Sequence, residues 1–416
     1  MKILFLNNYH YIRGGSERVF FGEMDLLRAN GQNVQSFARA HADDVSCETA
    51  SFFPPHIETE SVSLSWRGLK TFREILYSTT ARTALKKLLL SFRPDIVHAH
   101  NIYGRLTSAV LDLLRAEQIP VVMTLHDYKL ICPSYKLMRN HRVCEDCRGS
   151  RYYMAIKNRC HKNSAVASAA YALESGFNDW LGKYRKNIRF FIAPSRFLKN
   201  KLIDFGWDAE QIVYVPNFVD PAEQEQNGSS ADNADKAGNY FLYFGRLSQE
   251  KGVEDLVRAF MRLPDNAVNL RIAGDGPLKS ELTTMAAQDA RISFEGYLSG
   301  NRLRDMISGA RAVMVPSKWY ENAPLSILEA MAAGKPIIGA AIGGIPEMVR
   351  DNVTGYLFAP GDLADLTNKM QVVLQAPPEN LMIMGRAARN AVVSEFNPRT
   401  HYDQLMAVYA RALTTP

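Results

Sequence analysis

The chain alternates short apolar runs with amphipathic stretches. The runs fall at Lys2–Leu6, Asp95–Ala99, Pro120–Leu125 and Arg189–Ala193, and then at Tyr240–Phe244, Asn269–Ala273, Arg291–Phe294, Ala312–Val315 and Pro336–Gly339. Runs of this kind, each followed by a turn and a helical pattern, predict strands buried on both faces, as parallel sheets covered by helices require. Because the alternation comes in two successive sets, it predicts two Rossmann-like α/β halves. Each would be a doubly wound parallel sheet, and the cleft between the halves is the default ligand site. Helix Ser195–Phe205 and strand Ile212–Val215 lie near the junction, and the polar, aperiodic stretch Pro221–Gly238 reads as an exposed loop or linker. We place the first half at residues 1–194, with an insertion at 128–165, and the second at 195–395.

The first helix shows the local logic. After strand Lys2–Leu6 and a loop, Gly14-Gly15-Ser16 leads into Glu17–Asn30, where Phe20, Met24 and Leu27 recur at helical spacing and Gly31 supplies the stop. Paired glycines ahead of a helix let a ligand approach the backbone and its free N–H groups; they serve equally as a flexible turn. Neither this site nor Gly274-Asp275-Gly276 completes G-x-G-x-x-G, which disfavours nicotinamide chemistry.

Composition narrows the class. With 416 residues, 47% of them hydrophobic and 22% charged, the chain is long and apolar enough for more than one core. Only Ile3–Leu6 are apolar before Asn7, too short a run for a secretory leader, and no later run approaches a membrane span, so a cytoplasmic location is expected. The net charge of +6 is unevenly placed: residues 128–205 carry 16 Lys/Arg against 5 Asp/Glu. No nucleic-acid motif accompanies this stretch, and a nucleic-acid partner is not expected. Its interleaved aromatics, among them Tyr152, Tyr153, Phe177 and Trp180, suit anionic lipid headgroups or an anionic substrate; a solvated basic face is the simpler alternative. Within it, the alanine-rich Ser164–Leu181, with Tyr171, Leu173, Phe177, Trp180 and Leu181, reads either as a core helix, the preferred reading, or as an amphipathic helix on a membrane surface.

Three groups of residues and one histidine carry candidate chemistry. In Glu321-Asn-Ala-Pro-Leu-Ser-Ile-Leu-Glu329, which follows strand Ala312–Val315, Pro324 fits the first turn of a helix ending at Gly334. Amides near Asn322–Ser326 would then lack intrahelical partners and suit a diphosphate, and the two carboxylates could accept hydrogen bonds from sugar hydroxyls. Gly245-Arg246 to Lys251-Gly252 ends another strand with a fork and a point charge that together suit a pyrophosphate; a surface basic loop is the equal alternative. Cys132, Cys144, Cys147 and Cys160, spaced C-x11-C-x2-C-x12-C with Cys47 apart, are a candidate structural zinc site; reduced packing thiols are the alternative. His126 after strand Pro120–Leu125 is a candidate orienting group whose ring Asp127 could fix.

These stretches resemble glycosyltransferase family 4, retaining enzymes of the GT-B fold. The matches are FGRLSQEKG, IAGDGP, FEGYLS, MVPSKWYENAPLSILEAMAAGKPII and GGIPEMVRDNVTGYLF in the second half, with RGGSERV, VHAHN, TLHDYK and APSRF in the first. The resemblance implies that Arg246 and Lys251 meet the donor diphosphate, that Gly274 is among the donor-binding residues, and that Gly15 lies near the phosphates or the acceptor. It implies that Glu329 takes the ribose hydroxyls, that Tyr297 and Leu298 line the base pocket, and that Glu321, with amides of Asn322, Ala323, Pro324–Leu325, contacts the transferred sugar beside His126. It further implies that residues 396–416 return to the first half and that the halves close on the donor. Where the family often has P-N-G-V-D, this chain has Phe218, which puts a backbone role there in doubt.

The expected activity is retaining transfer of a sugar from a nucleotide-diphosphate-sugar to an acceptor hydroxyl, with no further cofactor for catalysis. A glycan or lipid-linked acceptor in surface-polysaccharide assembly is expected, with peripheral contact to the inner face of the plasma membrane. A nucleotide-sugar epimerase or sugar phosphorylase on the same plan is the competing enzyme, and a non-catalytic nucleotide-sugar-binding protein the competing binder.

Overall fold

A computed structural model describes residues 1–57, 66–224, 238–264 and 268–414. The chain divides into two compact units, residues 1–139, 144–215 and 402–416, and residues 140–143 and 216–401. Most of the Pro221–Gly238 stretch lies outside the described residues.

The first unit holds strands β1 (Lys2–Leu6), β2 (Asn33–Phe37), β3 (Ile96–Ala99), β4 (Val121–Thr124), β7 (Phe190–Ala193) and β8 (Ile212–Tyr214) in the order β2-β1-β3-β4-β7-β8. Every pairing is parallel. β5 (Met138–Arg139) and β6 (Arg142–Val143) form a small separate hairpin in the insertion. Strands β3, β4 and β7 are buried at every position, as a sheet covered on both faces demands. β2 is an edge strand of mixed polarity, and the apolar-run criterion did not find it. Residues 195–215, which the sequence reading gave to the second half, supply helix Arg196–Asp204 and β8, and β8 pairs with β7; the hydrogen-bonded ladder joins them to the first sheet.

Helix Gly15–Ala29 buries Val19, Phe20, Met24 and Leu27, and with them Glu17 and Glu23. Phe20, Met24 and Leu27 share a core with Ile3, Phe5 and Ile96. Helix Pro398–Thr414 brings Leu405, Val408, Tyr409 and Ala412 into the same core, so the end of the chain completes the unit that its beginning starts.

The second unit contains β9 (Tyr240–Phe244), β10 (Asn269–Ala273), β11 (Ile292–Gly296), β12 (Ala312–Val315), β13 (Ile337–Ala340) and β14 (Gly355–Phe358), ordered β11-β10-β9-β12-β13-β14 and parallel throughout. Its two faces carry separate apolar cores, one around Phe241, Leu256 and Ile338, the other around Leu242, Val313 and Leu328. Consecutive strands β9 and β10 lie on one side of the crossover while β12 returns to the other flank of β9. The loops leaving the carboxyl ends of β9 and β12 therefore diverge around a common point, where open α/β sheets bind ligands.

Phe218 does not adopt a left-handed backbone, and its ring packs on His401 with centroids 4.4 Å apart. The position thus needs no glycine.

Candidate active site

At the carboxyl edge of the second sheet, the loops are tied to one another in spatial order. The N–H of Gly274 donates to the carbonyl of Gly296 at 2.7 Å, and that of Leu247 to Asp275 at 2.8 Å. The Lys318 N–H donates to the Glu250 carbonyl at 2.9 Å, and the Lys318 ammonium pairs with Asp255 at 2.6 Å. Gly252 turns the β9 loop with φ of +68°, and a Cβ there would sit 1.9 Å from the Pro316 carbonyl oxygen. Only glycine permits that approach of the two loops.

This framework sets Lys251 against Glu321. The Lys251 Nζ donates to Glu321 Oε1 at 2.7 Å, and the Ser317 hydroxyl donates to the same oxygen at 2.5 Å. Glu321 is buried while Lys251 keeps part of its surface exposed. On the far side, the Gly344 N–H donates to the Glu321 carbonyl at 2.7 Å, and Gly343, at φ of +62°, passes so close that a Cβ would lie 2.2 Å from that oxygen. Glu321 is thus fixed by both backbone and side chain. Lys251 has three donor hydrogens and spends one on the carboxylate, so it can bind an anion as well.

The other expected site residues fall on neighbouring loops of the same edge. Arg246 follows β9 with its side chain exposed, Gly274 follows β10, and exposed Tyr297 and buried Leu298 follow β11. Asn322, Ala323 and Pro324 lead into helix Leu325–Ala332; Pro324 is its cap residue rather than part of its first turn, and the Ala323 carbonyl accepts from Asn217 at 2.9 Å. Glu329 lies on that helix and is buried. Ser317 and the Gly343-Gly344 turn lie within stretches quoted above but were given no role there, which their contacts with Glu321 now show.

In the first unit, Gly15 begins helix Gly15–Ala29, and open space surrounds both Gly14 and Gly15. His126 follows β4. Its ring is held by His100, not by Asp127: His126 Nε2 and His100 Nδ1 are 2.8 Å apart and the rings stack at 5.1 Å, whereas Asp127 Oδ1 accepts the Lys129 N–H at 2.8 Å. Burial, and then the neighbouring His100, push the His126 imidazole down to about 3 against the weaker pull of Glu23, so the ring is neutral at physiological pH. Burial raises the Asp127 carboxyl to about 6, opposed by the Lys129 amide and charge.

Cys132, Cys144, Cys147 and Cys160 lie near enough to act on one another's thiols. All five cysteines are free thiols, and Cys147 and Cys160 sit in a small core with Tyr152, Ala155 and Ala172. Among the described residues, the group whose ligand-type atoms lie within 4.8 Å of one another is Glu23, His98 and His100, not the cysteines, so zinc is not supported. Burial, then the neighbouring thiols, push Cys147 to about 12 and Cys160 to about 11.

Helix Ala165–Trp180 also departs from its expected face. It buries Ser168, Ala172, Glu174 and Asn178, because Glu174 pairs at 2.7 Å with the buried Lys129, and it leaves Val166, Leu173 and Trp180 exposed, Trp180 at 83%.

Two family profiles match end to end: that described as Glycosyltransferase Family 4 over residues 13–223, about half the chain, and that described as Glycosyl transferases group 1 over residues 225–391. The chain belongs to glycosyltransferase family 4. This glycosyltransferase is 29% identical over 328 residues to the glycogen synthase of Mycobacterium tuberculosis, covering 77% of this chain and 70% of the relative. It is 26% identical over 259 residues to the amylovoran biosynthesis glycosyltransferase AmsK of Erwinia amylovora, covering 60% and 62%. Among solved structures, Anabaena HepE in complex with UDP and glucose matches with a TM-score of 0.70 at 18% identity, covering 99% of this chain and all of that one. WaaG, a glycosyltransferase involved in lipopolysaccharide biosynthesis, matches with a TM-score of 0.63 at 17% identity over the full length of both chains. These structural likenesses establish the GT-B fold of the family 4 enzyme.

Proposed function

We propose that this glycosyltransferase moves a sugar from a nucleotide-diphosphate-sugar to a hydroxyl of a lipid-linked glycan, retaining the anomeric configuration, in the assembly of a surface polysaccharide. The observation that carries the donor half of this reading is the Lys251–Glu321 pair at the diverging ends of β9 and β12. Arg246 and Lys251 supply positive charge for the diphosphate, and amides of Asn322, Ala323 and Leu325 add dipoles aimed at the same anion. The two hydrogen bonds to the Glu321 carboxylate converge on Oε1, so Oε2 is the oxygen offered to a sugar hydroxyl. Glu329 takes the ribose hydroxyls, Gly274, Tyr297 and Leu298 border the nucleoside, and Gly15 offers helix N–H groups on the acceptor side.

In the reaction, the bond from the anomeric carbon to the diphosphate oxygen breaks while one to the acceptor oxygen forms on the same face. The acceptor proton passes to the departing diphosphate. The protein's part is to stabilise charge as it develops on the leaving group and to hold the acceptor in place. His126, neutral, orients a hydroxyl and carries no charge of its own. A thermal-shift panel of nucleotide diphosphates and their sugars tests the donor reading: one base should raise the melting temperature selectively, and a flat panel would refute it. Product anomers resolved by NMR test retention, since an inverted product excludes same-face attack.

The acceptor reading rests on the exposed stripe of Val166, Leu173 and Trp180, every seventh residue of helix Ala165–Trp180, within the basic 128–205 stretch. Apolar anchors among lysines and arginines suit an anionic bilayer. Among the described residues no helix is long and apolar enough to cross a membrane. Cosedimentation with phosphatidylglycerol vesicles should be salt-sensitive and fall severalfold in Trp180→Ser, with little binding to phosphatidylcholine. Equal or absent binding to both lipids would exclude this contact.

A further inference from the structure

Glu23 is a carboxylate on the apolar face of helix Gly15–Ala29, 1% exposed, between Phe20 and Met24. Its Oε2 lies 3.3 Å from His100 Nε2 and 3.4 Å from His98 Nδ1, and both rings are wholly buried. A buried charge without a task costs several kcal/mol, so its retention calls for a reason. The surroundings supply one. His98 is occupied on both nitrogens by hydroxyls, Tyr409 at 2.7 Å and Thr124 at 2.8 Å. His100 instead stands between Glu23 and His126: its Nε2 is 3.3 Å from Glu23 Oε2, an electrostatic approach rather than a hydrogen bond, and its Nδ1 is hydrogen-bonded to His126 Nε2 at 2.8 Å.

The order of protons along this row follows from electrostatics. A carboxylate oxygen 3.3 Å from His100 Nε2 attracts an N–H there and repels a lone pair. With its hydrogen on Nε2, His100 has a bare Nδ1, which can only accept, so His126 must donate from Nε2. That leaves the His126 Nδ1 lone pair available. If the row ran the other way, His126 would carry its hydrogen on Nδ1 and could donate to a substrate oxygen but not accept from one there.

We propose that Glu23 is a positioning residue that acts through His100 to hold His126 as the Nε2–H tautomer, with Nδ1 free to accept a hydrogen bond from a substrate hydroxyl. The catalytic consequence rests on the placement of His126 at the reacting centre under Proposed function; the tautomer itself does not. Groups facing the row are Glu23 from the first helix, His98 on β3, Thr124 at the end of β4 and Tyr409 from the C-terminal helix. Burial of His126, which keeps it neutral, ensures that a tautomer rather than an imidazolium is being selected.

The test is nitrogen-15 NMR of the histidine rings in the full-length protein, with kinetics alongside. Wild type should show His126 in the Nε2–H form. Glu23→Gln, of the same shape but uncharged, should shift His126 toward a mixture, and kcat should fall at least about tenfold with donor KM and melting temperature nearly unchanged. His100→Leu, as the second variant, should abolish the tautomer preference by another route. Glu23→Gln should add nothing in a His126→Ala background. An unchanged His126 tautomer in both single variants would overturn the proposal. A shifted tautomer together with full activity of His126→Ala would leave the row standing and remove His126 from the reacting centre.

Discussion

Lys251→Ala is expected to lower turnover by at least about tenfold while unfolding remains within a few degrees of wild type. The ammonium is partly exposed and its pair with Glu321 lies at a loop edge, so its removal takes little from the core. On the proposed function, the substitution removes positive charge where the leaving diphosphate gathers negative charge, and it removes the ion-pair partner of Glu321. Glu321→Ala should cost a similar factor, and because the two groups touch at 2.7 Å, the double variant should lose less than the product of the single losses. The check is steady-state kinetics on the four proteins of the cycle. Normal transfer by either single variant would remove that residue from the site.

Gly252→Ala should be among the most damaging single methyls in the second unit. At φ of +68° alanine is strained, and its Cβ would be 1.9 Å from the Pro316 carbonyl oxygen and 2.9 Å from the carbonyl carbon. Both atoms are backbone, so the β9 and β12 loops must part, and the Lys318–Glu250 hydrogen bond and the Lys251–Glu321 pair part with them. We expect a loss of about 2–4 kcal/mol in chemical denaturation, with transfer near background. A variant with the wild-type denaturation midpoint and turnover would show that the two loops are not held as described.

The fold was readable where burial leaves a uniform apolar run. The central strands of both sheets announce themselves in this way, whereas β2, Asn33-Val-Gln-Ser-Phe, mixes polar and apolar residues because an edge strand need not be apolar throughout. The residues proposed for the donor were nameable from sequence because Arg246 and Lys251, and Glu321 and Glu329, lie in two compact stretches, one after β9 and one after β12. The row from Glu23 to His126 was not. Its members come from one helix and the ends of β3 and β4, and only the strand order brings them together. One signal existed: a glutamate at the helical spacing of Phe20, Met24 and Leu27 contradicts an apolar face. Helix Ala165–Trp180 misled for the opposite reason. Ranking its residues by hydrophobicity put Leu173 and Trp180 inside, but the buried Lys129–Glu174 pair fixes the helix with its small and polar residues inward.

The C-terminal helix has a consequence for biosynthesis. Ile3 and Phe5 leave the ribosome long before Leu405, Val408 and Tyr409, which share their core, are made. At ordinary elongation rates that interval is on the order of tens of seconds. Throughout it the nascent chain carries an unfinished apolar surface, so the demand for chaperone protection falls on the part of the protein translated first.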